Sequence, residues 1–357
     1  MSDRAEPILL QVCANDHPPF ADICRYHAAA ARALSWRPVT VMLEARAAAP
    51  DAEFHYLGDG LNEGAADLLG GARPLLTICH RYRAYRKVVG CRSLGGRAVV
   101  VAHEFELLRR WQRRLRLHWD RLRGRGAVRF AGVSDAVAEE LAAVAGDAVL
   151  LPNGIDLARA DEVRLPREAA RAELALSPRD FNIGVVGRLH PKKAPALALE
   201  GFRQALPDLP DGRLVFVGRG DLEAELTEAA EGLPVVFKGF VPRAPRLLAG
   251  LDLLLIPSGP REAFGMVVLE AMAAGVPVLA GPSPGPRFVL GPTGCHFSPA
   301  APEALARALC TARAEHRSGM LAQRAAAARA RVETEFSVAA GARRLAALAG
   351  PRGGGQR

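Results

Sequence analysis

A chain of 357 residues predicts two domains, each long enough to bury its own core, and excludes a small module held together by cross-links. Half of the residues are hydrophobic and 24% are charged, which excludes a disordered chain. The net charge of +9 is unevenly placed: residues 71–129 hold 16 basic and three acidic side chains, net +13, and leave −4 for the rest.

Short β-branched runs alternate with longer Ala-, Leu- and Arg-rich stretches at helical spacing, the pattern of βα units on a parallel sheet. Strands are expected at 8–12, 39–43, 54–57, 75–79, 98–102, 129–133 and 149–151, and helices at 22–34, 109–123 and 135–144. Ser134 is a suitable N-cap for the last of these, and Asp135 complements its dipole. After a polar, Pro-containing stretch at 152–180 the pattern restarts. Strands follow at 183–186, 214–217, 235–237, 253–256 and 276–280, with helices at 195–204, 222–230 and 266–274. Helices at 302–314, 320–335 and 338–348 precede a Gly/Arg tail at 350–357. The fold class is α/β, with one Rossmann-like doubly wound domain over 1–155 and a second over 156–335.

Six cysteines show no close CxxC pair and no histidine at zinc-ligand spacing, so they read as reduced and mostly buried. The apolar run 8–12 is too short for the core of a signal peptide. The run 266–280 is broken by Glu270 and Gly275 and falls short of the roughly 20 residues that span a bilayer. The expected location is cytoplasmic, with only peripheral membrane contact.

Open parallel sheets bind ligands at the carboxyl ends of their strands. Two loops there stand out. In PSGPREAFGMVVLEAMAAGVPVLA, Glu262 lies in a loop and Glu270 in the helix after it, and the amides of Phe264, Gly265 and Met266 open that helix as an anion site. Ribose or sugar hydroxyls are suitable donors to the two carboxylates. In GRLHPKKA, Arg188 and Lys193 converge where they would neutralise a diphosphate. Each cluster also has a bland reading, as surface charge or a helix-dipole acid.

VSDAVAEEL, LPNGID, VVGRLHPKKAP, LVFVGRG, FKGFVP and REAFGMVVLEAMAAGVPVLA resemble, in order and spacing, the family 4 glycosyltransferases, strongly over residues 134–297. The resemblance implies a GT-B fold, with the two domains facing across a cleft and a C-terminal helix at 336–349 returning to the first. It also implies retaining transfer from a nucleotide sugar. Arg188 and Lys193 would hold the donor diphosphate, Glu270 the ribose, and Glu262 with the 264–266 amides the transferred sugar and its phosphate. The base would lie near Phe240 and Val241. His103 matches a histidine that contacts the donor sugar. Alanine at 194, where the family usually has glycine, is expected to alter little if the backbone there is helical. CANDHPPF replaces the family's glycine-rich loop after the first strand.

No Asp-x-Asp triplet occurs, in keeping with the metal-independent chemistry that the family implies, and no cofactor is expected. Asp16 and His80, at carboxyl ends of strands, are acceptor-side candidates. Residues 104–129 combine arginines with an apolar stripe at Leu108, Trp111, Leu115, Trp119 and Leu122. That segment suits an anionic membrane surface and equally a core-facing helix. The expected partners are a nucleotide sugar, UDP-hexose first, and a saccharide or lipid-linked acceptor such as lipopolysaccharide core, with no nucleic acid. The alternatives are a nucleotide-sugar epimerase of the same fold and a non-catalytic basic protein that binds membrane or nucleic acid.

Overall fold

The computed structural model describes residues 6–17, 19–45, 51–58, 61–89, 97–105 and 128–350. The helix expected at 109–123, with its basic apolar stripe, lies outside the described residues. The chain divides into two compact units, residues 1–156 with 336–357, and residues 157–335.

In the first unit, β1 (Ile8–Cys13), β2 (Arg37–Met42), β3 (His55–Tyr56), β4 (Leu76–His80), β5 (Arg97–Ala102), β6 (Val128–Gly132) and β7 (Val149–Leu150) form one parallel sheet in the order β3-β2-β1-β4-β5-β6-β7. Its described helices are α1 (Phe20–Arg32), α2 (Leu61–Leu69), α3 (Arg81–Val88) and α4 (Asp135–Ala145). The strands are apolar runs buried on both faces, as a covered parallel sheet requires. Strand order reverses between β1 and β4, where Cys13 pairs with His80, so the loops after these two strands diverge. Ser134 occupies the N-cap of α4 in an extended conformation, but its side chain does not cap the helix; the Asp135 carboxylate accepts from the Ala136 amide at 2.8 Å instead.

The second unit has α5 (Leu157–Val163), α6 (Arg167–Leu174), β8 (Phe181–Val186), α7 (Pro195–Ala205), β9 (Gly212–Val217), α8 (Glu223–Ala229), β10 (Val235–Phe237), β11 (Leu253–Ile256), α9 (Met266–Ala273), β12 (Val278–Ala280), α10 (Pro284–Leu290), β13 (Cys295–His296), α11 (Pro302–Arg317) and α12 (Met320–Arg331). Its parallel sheet runs β10-β9-β8-β11-β12-β13 and reverses between β8 and β11. A core of Phe181, Ile183, Phe202, Phe216, Leu255 and Leu305 fixes α7 and α11 on the sheet.

The expected helix at 320–335 stops at Arg331 and continues as a π-helical turn, Val332–Phe336, before α13 (Val338–Ala349). In the first unit α13 packs on α1: the Tyr26 hydroxyl donates to the Ser337 carbonyl at 3.3 Å, and a Cβ on Gly341 would stand 2.5 Å from that hydroxyl. Among the described residues no helix is long and apolar enough to cross a membrane.

Beneath the second sheet Asp252 is buried. It pairs with Arg171 at 2.7 Å and with Arg167, and it accepts from the Asn182 amide at 2.8 Å. These bonds tie α6 to the entry of β8 and β11. Removing the carboxylate charge leaves the buried Arg171 guanidinium uncompensated. Asp252→Asn is therefore expected to cost about 3 kcal/mol of the second unit's stability, measured by denaturant unfolding.

Candidate functional site

Polar side chains collect at the carboxyl edges of both sheets. In the second unit the loops after β8, β9 and β10 are laced together by backbone. The Gly187 amide donates to the Val217 carbonyl at 2.9 Å and the Gly218 amide to the Gly239 carbonyl at 2.8 Å. A Cβ on Gly218 would lie 2.0 Å from the Gly187 carbonyl oxygen, so only glycine permits this approach. Arg188 leaves the end of β8 exposed to solvent, without an ion-pair partner among the described residues. Arg219, in the VGRG loop after β9, is a further exposed cation on this edge, and its side chain lies against Gly239. The sequence reading passed over it, although it ends a strand just as Arg188 does. Phe240, after β10, is 71% exposed, and Val241 beside it is half-buried.

The two expected charge clusters meet. Lys193 Nζ lies 2.5 Å from Glu262 Oε2, across the β8/β11 reversal. The Glu262 loop is held by α10: the Gly285 amide donates to the Glu262 carbonyl at 3.1 Å, and a Cβ on Gly285 would come within 2.3 Å of the Phe264 nitrogen. Gly265, φ +88, is the N-cap of α9 and brings no side chain to its opening amides, Met266 first among them. Phe264 is buried against Phe288 at 6.4 Å. Glu270 stands half-buried a turn further along. At the other end of α9, the carbonyl of Ala273 accepts from Arg164 at 3.3 Å and from Arg329, and both guanidinium groups also bind Asp161. Cations fix the negative end of the helix dipole and leave its positive end open.

One expectation fails here. Ala194 is left-handed, φ +48 and ψ +47, and so is not part of a right-handed helix. Pro195 follows it and disfavours the right-handed α region. A side chain in this conformation carries roughly 1 to 2 kcal/mol of strain. Ala194→Gly is expected to raise stability by about 0.5 to 1 kcal/mol after allowing for glycine's greater freedom when unfolded, read from the denaturation midpoint.

In the first unit Asp16, three residues beyond β1, is buried and accepts from the Tyr56 hydroxyl at 2.9 Å. His103 follows β5. Its Nε2 is 3.1 Å from His80 Nδ1, and the two rings stack at 5.3 Å with the edge of Phe20 5.2 Å from His103. Arg81, in the left-handed region at φ +72, lies over Phe20 at 4.4 Å. His80 corrects the acceptor-side expectation. It is 0% exposed, with both ring nitrogens turned inward, Nδ1 to His103 and Nε2 to Gln11 Oε1 at 3.3 Å. It lies beneath His103 and offers no surface to an acceptor.

A third histidine, His27 of α1, stacks on His80 at 5.5 Å, and neither of its ring nitrogens has a hydrogen-bond partner among the described residues. Burial lowers His27 to about 4. Burial, with His27 and Arg81 adding to it, lowers His103 to about 3. His80 is pushed well below its ordinary value, by burial first and then by its two neighbours. All three rings are neutral at pH 7.

As pH falls below 6.5 the unfolded chain protonates at position 27 while the folded ring stays neutral down to about 4. Stability therefore falls through that window, by up to about 1.4 kcal/mol per pH unit for this residue. His27→Phe keeps the stacked ring without the proton. It is expected to match the native protein at pH 7 and to exceed it increasingly toward pH 4.5, as read from denaturation midpoints.

Residues 180–314 match the family described as Glycosyl transferases group 1. A GDP-mannose-dependent alpha-(1-6)-phosphatidylinositol dimannoside mannosyltransferase of Mycobacterium tuberculosis is 33% identical over 138 residues, 38% of this chain and 35% of that protein. The chain thus spans about a third of the length of the curated relatives it matches. A glycosyltransferase from Rickettsia africae superimposes with a TM-score of 0.77 at 15% identity, covering 97% of this chain and 98% of that one. Anabaena HepE, solved with UDP, gives 0.74 at 20% identity, covering 96% and 99%. The two parallel-sheet α/β units with these neighbours make a GT-B fold, and the matches support the family 4 resemblance carried by the motifs.

Proposed function

We propose that this chain is a retaining glycosyltransferase that moves a hexose from a nucleoside diphosphate to a saccharide hydroxyl. The observation that carries the reading is the Lys193–Glu262 pair beside the open amide end of α9, within the residues that match the glycosyl transferases. Glu262 balances Lys193. An arriving diphosphate would take over the ammonium and free the Glu262 carboxylate to accept from a sugar hydroxyl. Arg188 would add a second cation, Glu270 would accept from the ribose, and the exposed ring of Phe240 with the backbone at Val241 would flank the base.

In the transfer, the acceptor oxygen bonds to the anomeric carbon as the bond from that carbon to the diphosphate oxygen breaks. The departing phosphate takes the acceptor's proton on the same face, which retains configuration. Lys193, Arg188 and the α9 amides stabilise the charge that builds on the leaving group. His103 orients the sugar and acts neither as nucleophile nor as base. This chemistry assigns no step to a divalent cation, so turnover in excess chelator is expected to be unchanged.

UDP-hexose remains the donor favoured by the sequence reading, with lipopolysaccharide core or another envelope glycan as acceptor at the inner face of the cytoplasmic membrane. The GDP-mannose-dependent relative favours a second reading, mannosyl transfer to an inositol-bearing lipid. Free nucleotide is to be measured across UDP- and GDP-hexoses, with and without saccharide and lipid-linked acceptors. Release that requires an acceptor is the expected result. Isomerisation of the donor without release would establish the epimerase instead, and neither event with any donor would remove both readings. Lys193→Ala and Glu262→Ala are each expected to lower kcat/KM about 10²-fold. Phe240→Ala is expected to raise the donor KM about five-fold with kcat unchanged.

A further inference from the structure

Gln11 is a lone polar residue in the apolar strand β1, fully buried. Its amide nitrogen donates to the Cys24 carbonyl at 3.0 Å and to Thr40 Oγ1 at 3.1 Å. A backbone carbonyl only accepts, so the nitrogen must face Cys24 and the oxygen Oε1 must face His80. His80 Nε2, 3.3 Å from that oxygen, must then carry its ring proton. A neutral imidazole has one N–H, so His80 Nδ1 is a bare acceptor. His103 Nε2, 3.1 Å away, is left as the donor to it. By the same rule His103 Nδ1 is unprotonated, and this sheltered atom has no partner among the described residues.

We propose that Gln11 and His80 are positioning residues that hold His103 as the Nε2–H tautomer and reserve Nδ1 as an acceptor for a hydroxyl group of the bound sugar. The hydroxyl rests on the glycosyltransferase reading; the tautomer does not. Each link in the chain is set by a group that can act in one sense only, beginning at the Cys24 carbonyl. The ring is clamped as well as oriented, by His80 on one side and the Phe20 edge on another. A phosphate oxygen brings no proton and would be refused at Nδ1, so the chain selects a hydroxyl-bearing part of the ligand.

The test compares His80→Asn with His80→Leu in the full-length protein. Asparagine can place a carbonyl oxygen near the former Nδ1 and still accept from His103; leucine cannot. Both variants strand Gln11 Oε1 and are expected to lose similar stability. Ring-nitrogen NMR of the unliganded protein, labelled with ¹⁵N-histidine, is expected to show His103 protonated on Nε2 in the native chain and in His80→Asn, and a mixture of tautomers in His80→Leu. Native His103 protonated on Nδ1, or an unchanged tautomer in His80→Leu, would overturn the proposal whether or not the protein transfers sugar. With the active donor, kcat is expected to fall roughly tenfold in His80→Leu, the loss of about one buried hydrogen bond, and to recover to within about threefold in His80→Asn. Equal kcat losses in the two variants would reduce His80 to a structural role.

Discussion

All pairings in both sheets are parallel, and that single constraint places the chemistry. Parallel strands require crossovers, so each strand delivers its following loop to the same edge. At the two reversals of strand order, β1/β4 and β8/β11, neighbouring crossovers leave in opposite directions and the loops spread apart. His80 ends β4, and Lys193 and Glu262 follow β8 and β11. The polar groups of each unit are thus brought together from segments far apart in sequence, 69 residues in the case of Lys193 and Glu262.

The two units meet the cost of gathering polar groups differently. In the second the charges are partly solvated and held in mutual balance, with half-exposed Lys193 against a less exposed Glu262. Such a pair adds little stability. Below it, the buried Asp252 and its arginines fix the opposite edge of the sheet. In the first unit the imidazoles are buried instead and stay neutral, so orientation replaces charge as the property that the fold controls.

Strands β1 to β12 were legible to within about two residues because a doubly covered parallel strand is a continuous apolar run, as in ILLQVC or LLLI, whereas the two-residue β13 carries no such run and was not expected. Five of the described helices were not legible. LARADEV of α5 buries no side chain, RYRAYRKV of α3 sets its buried Tyr82, Ala84, Tyr85 and Val88 among four cations, and PGPRFVL of α10 begins with two prolines and a glycine that read as a loop, while α2 and α6 are only nine and eight residues long. The candidate residues of the second unit stand out in the sequence because each is local: a loop acid, a strand-end cation, a helix start. Contact between Lys193 and Glu262 is a tertiary fact that no spacing encodes. The left-handed backbone at Ala194 was missed because alanine carries no sign of it, although the following proline does.

Gln11 illustrates the signal that was overlooked. One amide among five apolar strand residues demands partners, since an unsatisfied buried amide costs about 1 to 3 kcal/mol. It satisfies its nitrogen on Cys24 and Thr40 and leaves one oxygen for His80, and from there the order of donors and acceptors runs to His103 without a choice. His27 stands outside this order, stacked on His80 with neither nitrogen partnered among the described residues. Its neutral ring contributes shape, whereas a protonated ring would place a cation against His80. The same burial that suppresses protonation of all three rings therefore keeps the tautomer chain intact, and the stability lost to acid in this unit is the counterpart of a histidine pair ordered at neutral pH.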